Sequence, residues 1–231
     1  MSGERMSGMQ LVDRIEKRRF VGRDFLLWLW FESELFDGTL STKKHGEFGL
    51  WIEKQITFSA GKAETTRIKG SYPAGTREAK EALLRGKMPD AAGLHFSWYE
   101  HEATFVFKAE QMALSGLSIP TVLGKDESEG DPAIPVPRAP RKGRKQSREQ
   151  EEIAESDESH EAFYERMRLT REVEEIIEAL YRDFLTLRLG AAWDDFVFPA
   201  LSEWTEPDGE VDEDDYREAR EHALAPKRGA R

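Results

Sequence analysis

The chain has 231 residues, of which 34% are charged and 39% apolar, and it carries a net charge of −11 with no cysteine. That composition belongs to a soluble protein with long solvated segments, and the missing thiols exclude a disulfide framework, a thiolate metal site and a cysteine nucleophile. The carboxylate excess argues against a surface that coats DNA throughout, since duplex affinity rests on Lys and Arg neutralising phosphates.

Residues 1–9 read as a disordered lead. "MQLVDRIEKRRF" then sets Leu11 and Ile15 on one face at helical spacing, with charged residues elsewhere. The start of the chain has no apolar core of signal-peptide length, so a cytoplasmic protein is expected. Gly22 marks a break, and Asp24 stands where a carboxylate favours the start of a helix. The helix predicted from there to about Phe36 contains Phe25 to Phe31, seven apolar residues in a row. That run is far shorter than the roughly 20 residues that cross a bilayer, and Arg23, Asp24, Glu32 and Glu34 flank it, so no membrane span is expected. A helix apolar on all sides is one buried between other elements. Trp28 and Trp30 point about 200° apart at helical spacing, which weighs against both stacking on one ligand.

"DGTL" (37–40) reads as a turn, after which the period changes. "EFGLWIEKQITFSA" and "ETTRIKGS" read as strands, rich in β-branched and aromatic residues or carrying a polar outer face. "YPAGTREAKEALLRGK" begins with turn residues, continues as a helix and stops at Gly86. Residues 92–99 and 103–109 read as a hairpin with its turn near Glu100 and His101. Residues 10–123 are therefore an α+β domain with an antiparallel sheet packed against a buried Trp/Leu-rich helix.

Residues 124–159 read as a charged linker in which Pro132, Pro135, Pro137 and Pro140 forbid a packed helix. It holds a basic run (Arg138, Arg141, Lys142, Arg144, Lys145, Arg148) followed at once by the acidic run 149–161. Residues 160–204 continue as C-terminal helices packing on the α+β domain. The first, long one has an apolar stripe from Phe163 to Leu189 and is closed by Gly190, and Pro199 kinks or divides the second. Residues 205–231 form an acidic tail, mostly disordered, with an option of a helical turn at "DDYREAREHAL".

No phosphate-loop pattern occurs, because "GKAETT" has Ala63 after Lys62 and Ile56 where the first glycine belongs. Neither a Gly-x-Gly-x-x-Gly fingerprint nor a Gly-x-Ser-x-Gly elbow is found. His95 and His101, with Glu100 and Glu102, are the only histidines set to meet across a hairpin, and polar residues on a wet strand face account for them more simply than a metal does. No catalytic residue, cofactor site or metal site is assigned. The basic run 138–148 is the strongest binding candidate, because flexible Lys/Arg segments hold phosphate backbones without sequence preference. Its competitor is a linker whose charge is neutralised by the acidic run behind it. Lys17, Arg18, Arg19 and Arg23 form a second basic cluster, otherwise explained as the exposed faces of two helices.

The segments "MQLVDRIEKRRFVGRDFLLWLWFESELFDGTL", "TREAKEALLRGKMP", "FVFKAEQMALSGLSIPTVL" and "FYERMRLTREVEEIIEALYRDFLTLRLGAAW" resemble, in this order, the C-terminal part of the recombination-associated protein RdgC family in its longer divergent form. The resemblance implies a non-enzymatic, nucleoid-associated protein that binds duplex DNA without sequence preference, forms a ring-shaped homodimer and restrains RecA-driven recombination. The family's N-terminal portion has no counterpart here, and the interval 124–159 is longer than the family pattern. No DNA-contacting residue of the family maps onto a position of this chain. The alternative expectation is a protein–protein adaptor, or a truncated relative without DNA binding.

Overall fold

The computed structural model describes residues 20–60, 64–120, 146–206 and 208–225. It is an α+β fold: a six-stranded antiparallel sheet packed against helices. Helix α1 (Phe20–Leu35) comes first, followed by β1 (Thr39–Thr42), β2 (Gly46–Ala60), β3 (Glu64–Gly70) and α2 (Arg77–Leu84). Then come β4 (Met88–Trp98), β5 (His101–Lys108), β6 (Ala113–Ser118) and the long helix α3 (Gln146–Arg188). A π-helical turn (Trp193–Val197), α4 (Phe198–Thr205) and α5 (Glu213–Leu224) complete the described chain.

The strands run in the order β1-β2-β4-β5-β6, and β3 also pairs with β2, beyond the stretch β1 occupies. Alternation sets the inner face: Leu50, Ile52, Ile56 and Phe58 from β2, Leu94, Phe96 and Trp98 from β4, Ala103, Phe105 and Phe107 from β5 are all buried. Extra residues in β2 between Ile52 and Ile56, with Lys54 at φ 64°, form a bulge that leaves this alternation intact.

Helix α1 lies on that face and is covered on its other sides by helices. Phe25 meets Phe107 of the sheet at 5.7 Å and Phe184 of α3 at 5.5 Å. The two tryptophans diverge as helical geometry requires. Trp28 packs on Phe184 at 5.7 Å, whereas Trp30 packs on Phe58 of β2 and Trp204 of α4. The apolar run is thus the inside of the fold.

Several boundaries differ from the sequence expectation. Gly22 does not break the chain; α1 starts at Phe20 and runs through it. A Cβ there would lie 1.9 Å from the Ala109 carbonyl oxygen, so glycine permits helix and sheet end to touch. Thr39 and Leu40, read as part of a turn, open β1, and the turn itself uses positive φ at Asp37 and Gly38. β6 was not foreseen, because "ALSGLS" is short and its buried alternation is weak. The linker predicted over 124–159 is shorter at its C-terminal end, since α3 begins at Gln146. Beyond Gly143 the sequence holds neither Pro nor Gly up to Gly190 and is rich in Glu, Gln, Ala and Arg, all good helix formers. The amphipathic helix predicted over 9–20 lies, apart from Phe20, outside the described residues. Pro199 sits in the first turn of α4, where its missing N–H costs nothing, and the π turn before it carries the chain there.

The largest correction concerns the tail. Residues 213–224 are a helix docked on the core. Asp212 caps it by accepting from the Asp215 N–H at 3.0 Å, and Glu213, Asp214 and Asp215 complement the helix dipole. Tyr216 and Arg220, one turn apart, are its buried residues. Tyr216 packs edge-on against Phe31 at 5.1 Å, and its hydroxyl donates to Glu32 at 3.1 Å. Arg220 donates through Nε to the same carboxylate oxygen of Glu32 at 2.8 Å. Glu32 is 0% exposed, so burial raises its pKa above the ordinary 4.5, and Arg220 and Tyr216 oppose that only in part.

Two outcomes follow from this packing. Gly22→Ala should lower the melting temperature, although alanine is the better helix former by about 1 kcal/mol. Arg220→Met should cost about 3–5 kcal/mol in chemical denaturation by stranding the Glu32 charge, and adding Glu32→Gln should recover part of the loss. A group whose folded pKa is raised stabilises the fold at low pH and loses that contribution as pH rises. The double variant should therefore gain on the parent as pH climbs above the ordinary carboxyl value.

Candidate functional site

The residues expected to bind DNA fall in three places. Lys17, Arg18 and Arg19 precede the described residues, and Arg138, Arg141, Lys142, Arg144 and Lys145 lie outside them, between β6 and α3. Arg148 lies on the first turn of α3, where the backbone alone is described. Arg23 is placed in full and turns inward. Its side chain is 19% exposed and bridges Asp90 at 2.5 Å and Glu110 at 2.9 Å, which locks α1 to the end of the sheet.

Other cations of the body are engaged in the same way. Lys44 holds Glu175 at 2.5 Å, a contact that also lowers the Glu175 pKa, and Lys87 holds Glu64 at 2.5 Å. Arg188 reaches Asp24 at 3.3 Å while stacking over Trp193. Along the helices, Arg77, Arg168, Arg171 and Arg182 pair with glutamates one turn away. Such exposed pairs stabilise little.

His95 and His101 do not meet. Trp98 pairs with His101 and His95 with Thr104, so the pleat sends the two histidines to opposite faces of the sheet. His95 stays on the outer face, 3.2 Å from Glu53 and 3.9 Å from Glu102. Among the described residues no group of three such side chains is placed to hold a metal.

His101 instead enters a cleft of about 460 Å³, where the two hairpin ends of the sheet meet α3. Phe48 and Trp98 form its floor and Ile176 one wall. His45, from the turn between β1 and β2, stands on the other side. The Trp98 indole N–H donates to Glu172 Oε2 at 3.1 Å, and Arg168 donates to Glu172 Oε1 at 3.0 Å, which fixes the α3 wall. Two polar atoms remain unserved. His45 Nε2 and His101 Nδ1 are both shielded from solvent and have no hydrogen-bond partner. Tyr99 projects from the rim, 89% exposed, at φ 52°. Large residues rarely adopt a positive φ, and here it belongs to the two-residue turn that links β4 to β5.

The cleft has an aromatic floor, two imidazole groups lacking partners and an ion pair at the edge, with no activated nucleophile. An aromatic floor with a few polar atoms around it suits the holding of an extended peptide or a side chain. Sequence reasoning did not find it, because its residues come from three distant segments and none belongs to a motif. The one local sign was "SWYEH", a turn that spends a tyrosine where Asn or Gly would be ordinary.

A second groove, about 830 Å³, runs between α5 and the segment 190–196, and Asp195, Asp215 and Glu218 line it. Their negative charge suits no phosphate. Removing the Glu172 carboxylate tests the architecture of the first cleft. Glu172→Ala should destabilise the fold by about 1–3 kcal/mol, because the Trp98 indole loses its acceptor. The Trp98 indole resonance should shift while those of Trp28 and Trp30 hold still.

No protein-family model matches the chain, and searches of curated proteins and of solved structures return no match.

Proposed function

We propose that this protein is a non-enzymatic, sequence-nonspecific binder of duplex DNA, of the kind its resemblance to the RdgC family implies, acting at the nucleoid in recombination. The segment 138–148 makes the phosphate contact, and the α+β body carries it. What supports the reading is the disposition of charge. The body's cations are largely taken up by carboxylates, whereas Arg138, Arg141, Lys142, Arg144, Lys145 and Arg148 crowd eleven positions at the threshold of α3. A dense run of this kind recognises a polyanion by displacing its counterions and reads no bases.

A second reading, a protein–protein adaptor, is favoured by Phe163, Tyr164 and Met167. All three are exposed on α3, N-terminal to Leu169, the first buried residue among those of the helix whose side chains are described. Exposed large apolar side chains so close together suit a protein partner or a second copy of the chain.

Titration against a fluorescent random duplex separates the two. Six phosphate contacts predict a log–log salt slope of about −5, and neutralising the six basic residues should abolish binding at moderate salt. No binding at low salt would overturn the DNA reading. Binding that survives the neutralisation would move the contact to another surface, and a light-scattering mass tests the homodimer.

A further inference from the structure

Lys54, Arg67, Lys69 and Lys108 stand outside the local pairing of charge. All four are exposed, and among the described residues none bridges a carboxylate. Arg67 donates to the amide oxygen of Gln55, a neutral partner that steadies the guanidinium without cancelling its charge. The register of the sheet gathers these cations on its outer face. Ile56, Ile68, Ala92 and Phe107 pack toward the core, so alternation turns Thr57, Arg67, Ala91 and Lys108 away from it. Arg67 pairs with Thr57, Thr57 with Ala91 and Ala91 with Lys108, one row across β3, β2, β4 and β5. Three strand spacings, about 14 Å, separate Arg67 from Lys108.

Lys69 follows Arg67 on the same face of β3, about 7 Å along the strand. Lys54 comes from the bulge of β2 and lines a hollow of about 250 Å³ on this face with Gly93, Thr104 and Val106. Gly93 admits the bulge, since a Cβ there would lie 2.4 Å from the Glu53 carbonyl oxygen. Between the two cations of the row stand only Thr57 and Ala91, both short and partly exposed, so the face is low and open where its charge gathers. Glu53 and Glu102 share the face but approach His95, at 3.2 and 3.9 Å, rather than the four cations. Among the described residues, no exposed large apolar side chain belongs to β2, β3, β4 or β5. A lipid surface or a protein partner would want such side chains as anchors, whereas unmatched cations on a low face suit a polyanion.

We propose that this open face of the sheet is a second contact to the phosphate backbone of a DNA duplex, made by the folded body in addition to the run 138–148. A duplex carries one charge per about 1.7 Å of its axis, so it offers phosphates throughout the span from Arg67 to Lys108. Ion pairing of this kind positions the duplex and carries no sequence information. The inference rests on the DNA reading above and adds a site to it.

In the full-length protein, Lys69→Gln with Lys108→Gln removes one charge on each side of the row and leaves the core untouched. Lys43→Gln with Arg166→Gln changes the net charge equally at exposed positions off the face, in the β1–β2 turn and on α3. Both pairs are titrated against a fluorescent random duplex across a salt series. The face pair should make the log–log salt slope shallower by about two, at about 0.9 per phosphate contact, and weaken binding several-fold at moderate salt. The control pair should leave the slope unchanged. Equal effects of the two pairs, or an unchanged slope for the face pair, would overturn the contact. A slope that responds to neutralising the run 138–148 but not to the face pair would keep the DNA reading and sink this inference alone. No binding of the parent at low salt would remove both. Binding to phosphatidylserine vesicles that the face pair abolishes, with no duplex binding, would assign the face to a membrane and overturn it as well.

Discussion

Every other element of this fold answers to α1. A helix that is apolar around its whole circumference has no side to give to water, so it must be enclosed by the sheet and by helices from the far end of the chain. The enclosure has an electrostatic complication, because the same helix carries Asp24, Glu32 and Glu34. Burial raises the pKa of all three, and each is met by a partner distant in sequence. Asp24 has Arg188 from the end of α3, and Glu32 has Arg220 and Tyr216 from α5. Glu34 accepts from the Trp30 and Trp204 indoles and lies 4.0 Å from Lys80 of α2. Its charge also helps burial to push the neighbouring Tyr72 hydroxyl up to about 12. The carboxylates of one helix thereby specify where four other helices dock.

That arrangement explains what could and could not be read from the sequence. The apolar run of α1, the alternation of β2, β4 and β5 and the stripe of α3 are each local patterns with a helical or strand period, and they led to the correct fold class. α5 escaped because the residues that bury it, Tyr216 and Arg220, are few, and one of them is charged. A buried arginine looks in sequence like any solvated one until Glu32 is seen opposite it. Gly22 was misread for a related reason: a glycine that interrupts a helix and one that admits a neighbouring backbone look alike. His95 and His101 were set together by proximity in the chain, but the register of the hairpin turned them to opposite faces.

The cleft is legible only in three dimensions. Its floor belongs to the sheet, its wall to α3 and its unpartnered imidazole nitrogens to two separate turns. None of these positions obeys a periodicity that differs from its neighbours. The expected DNA contacts lie almost wholly outside the described residues, and Arg23, the member of that set placed in full, serves the fold.

The same division governs charge across the molecule. Within the body, cations and carboxylates are matched locally, one turn apart on helices or across short gaps between elements, so little net field leaves it from those pairs. The basic and acidic runs differ in sequence, since each gathers one sign of charge and they stand next to each other along the chain. Ile119, after β6, and Gln146, at the head of α3, are the points at which the described chain leaves the body and rejoins it. Packing of the buried helix thus decides which cations of the body are matched, because Arg23, Arg188 and Arg220 are each drawn to a carboxylate by the same enclosure.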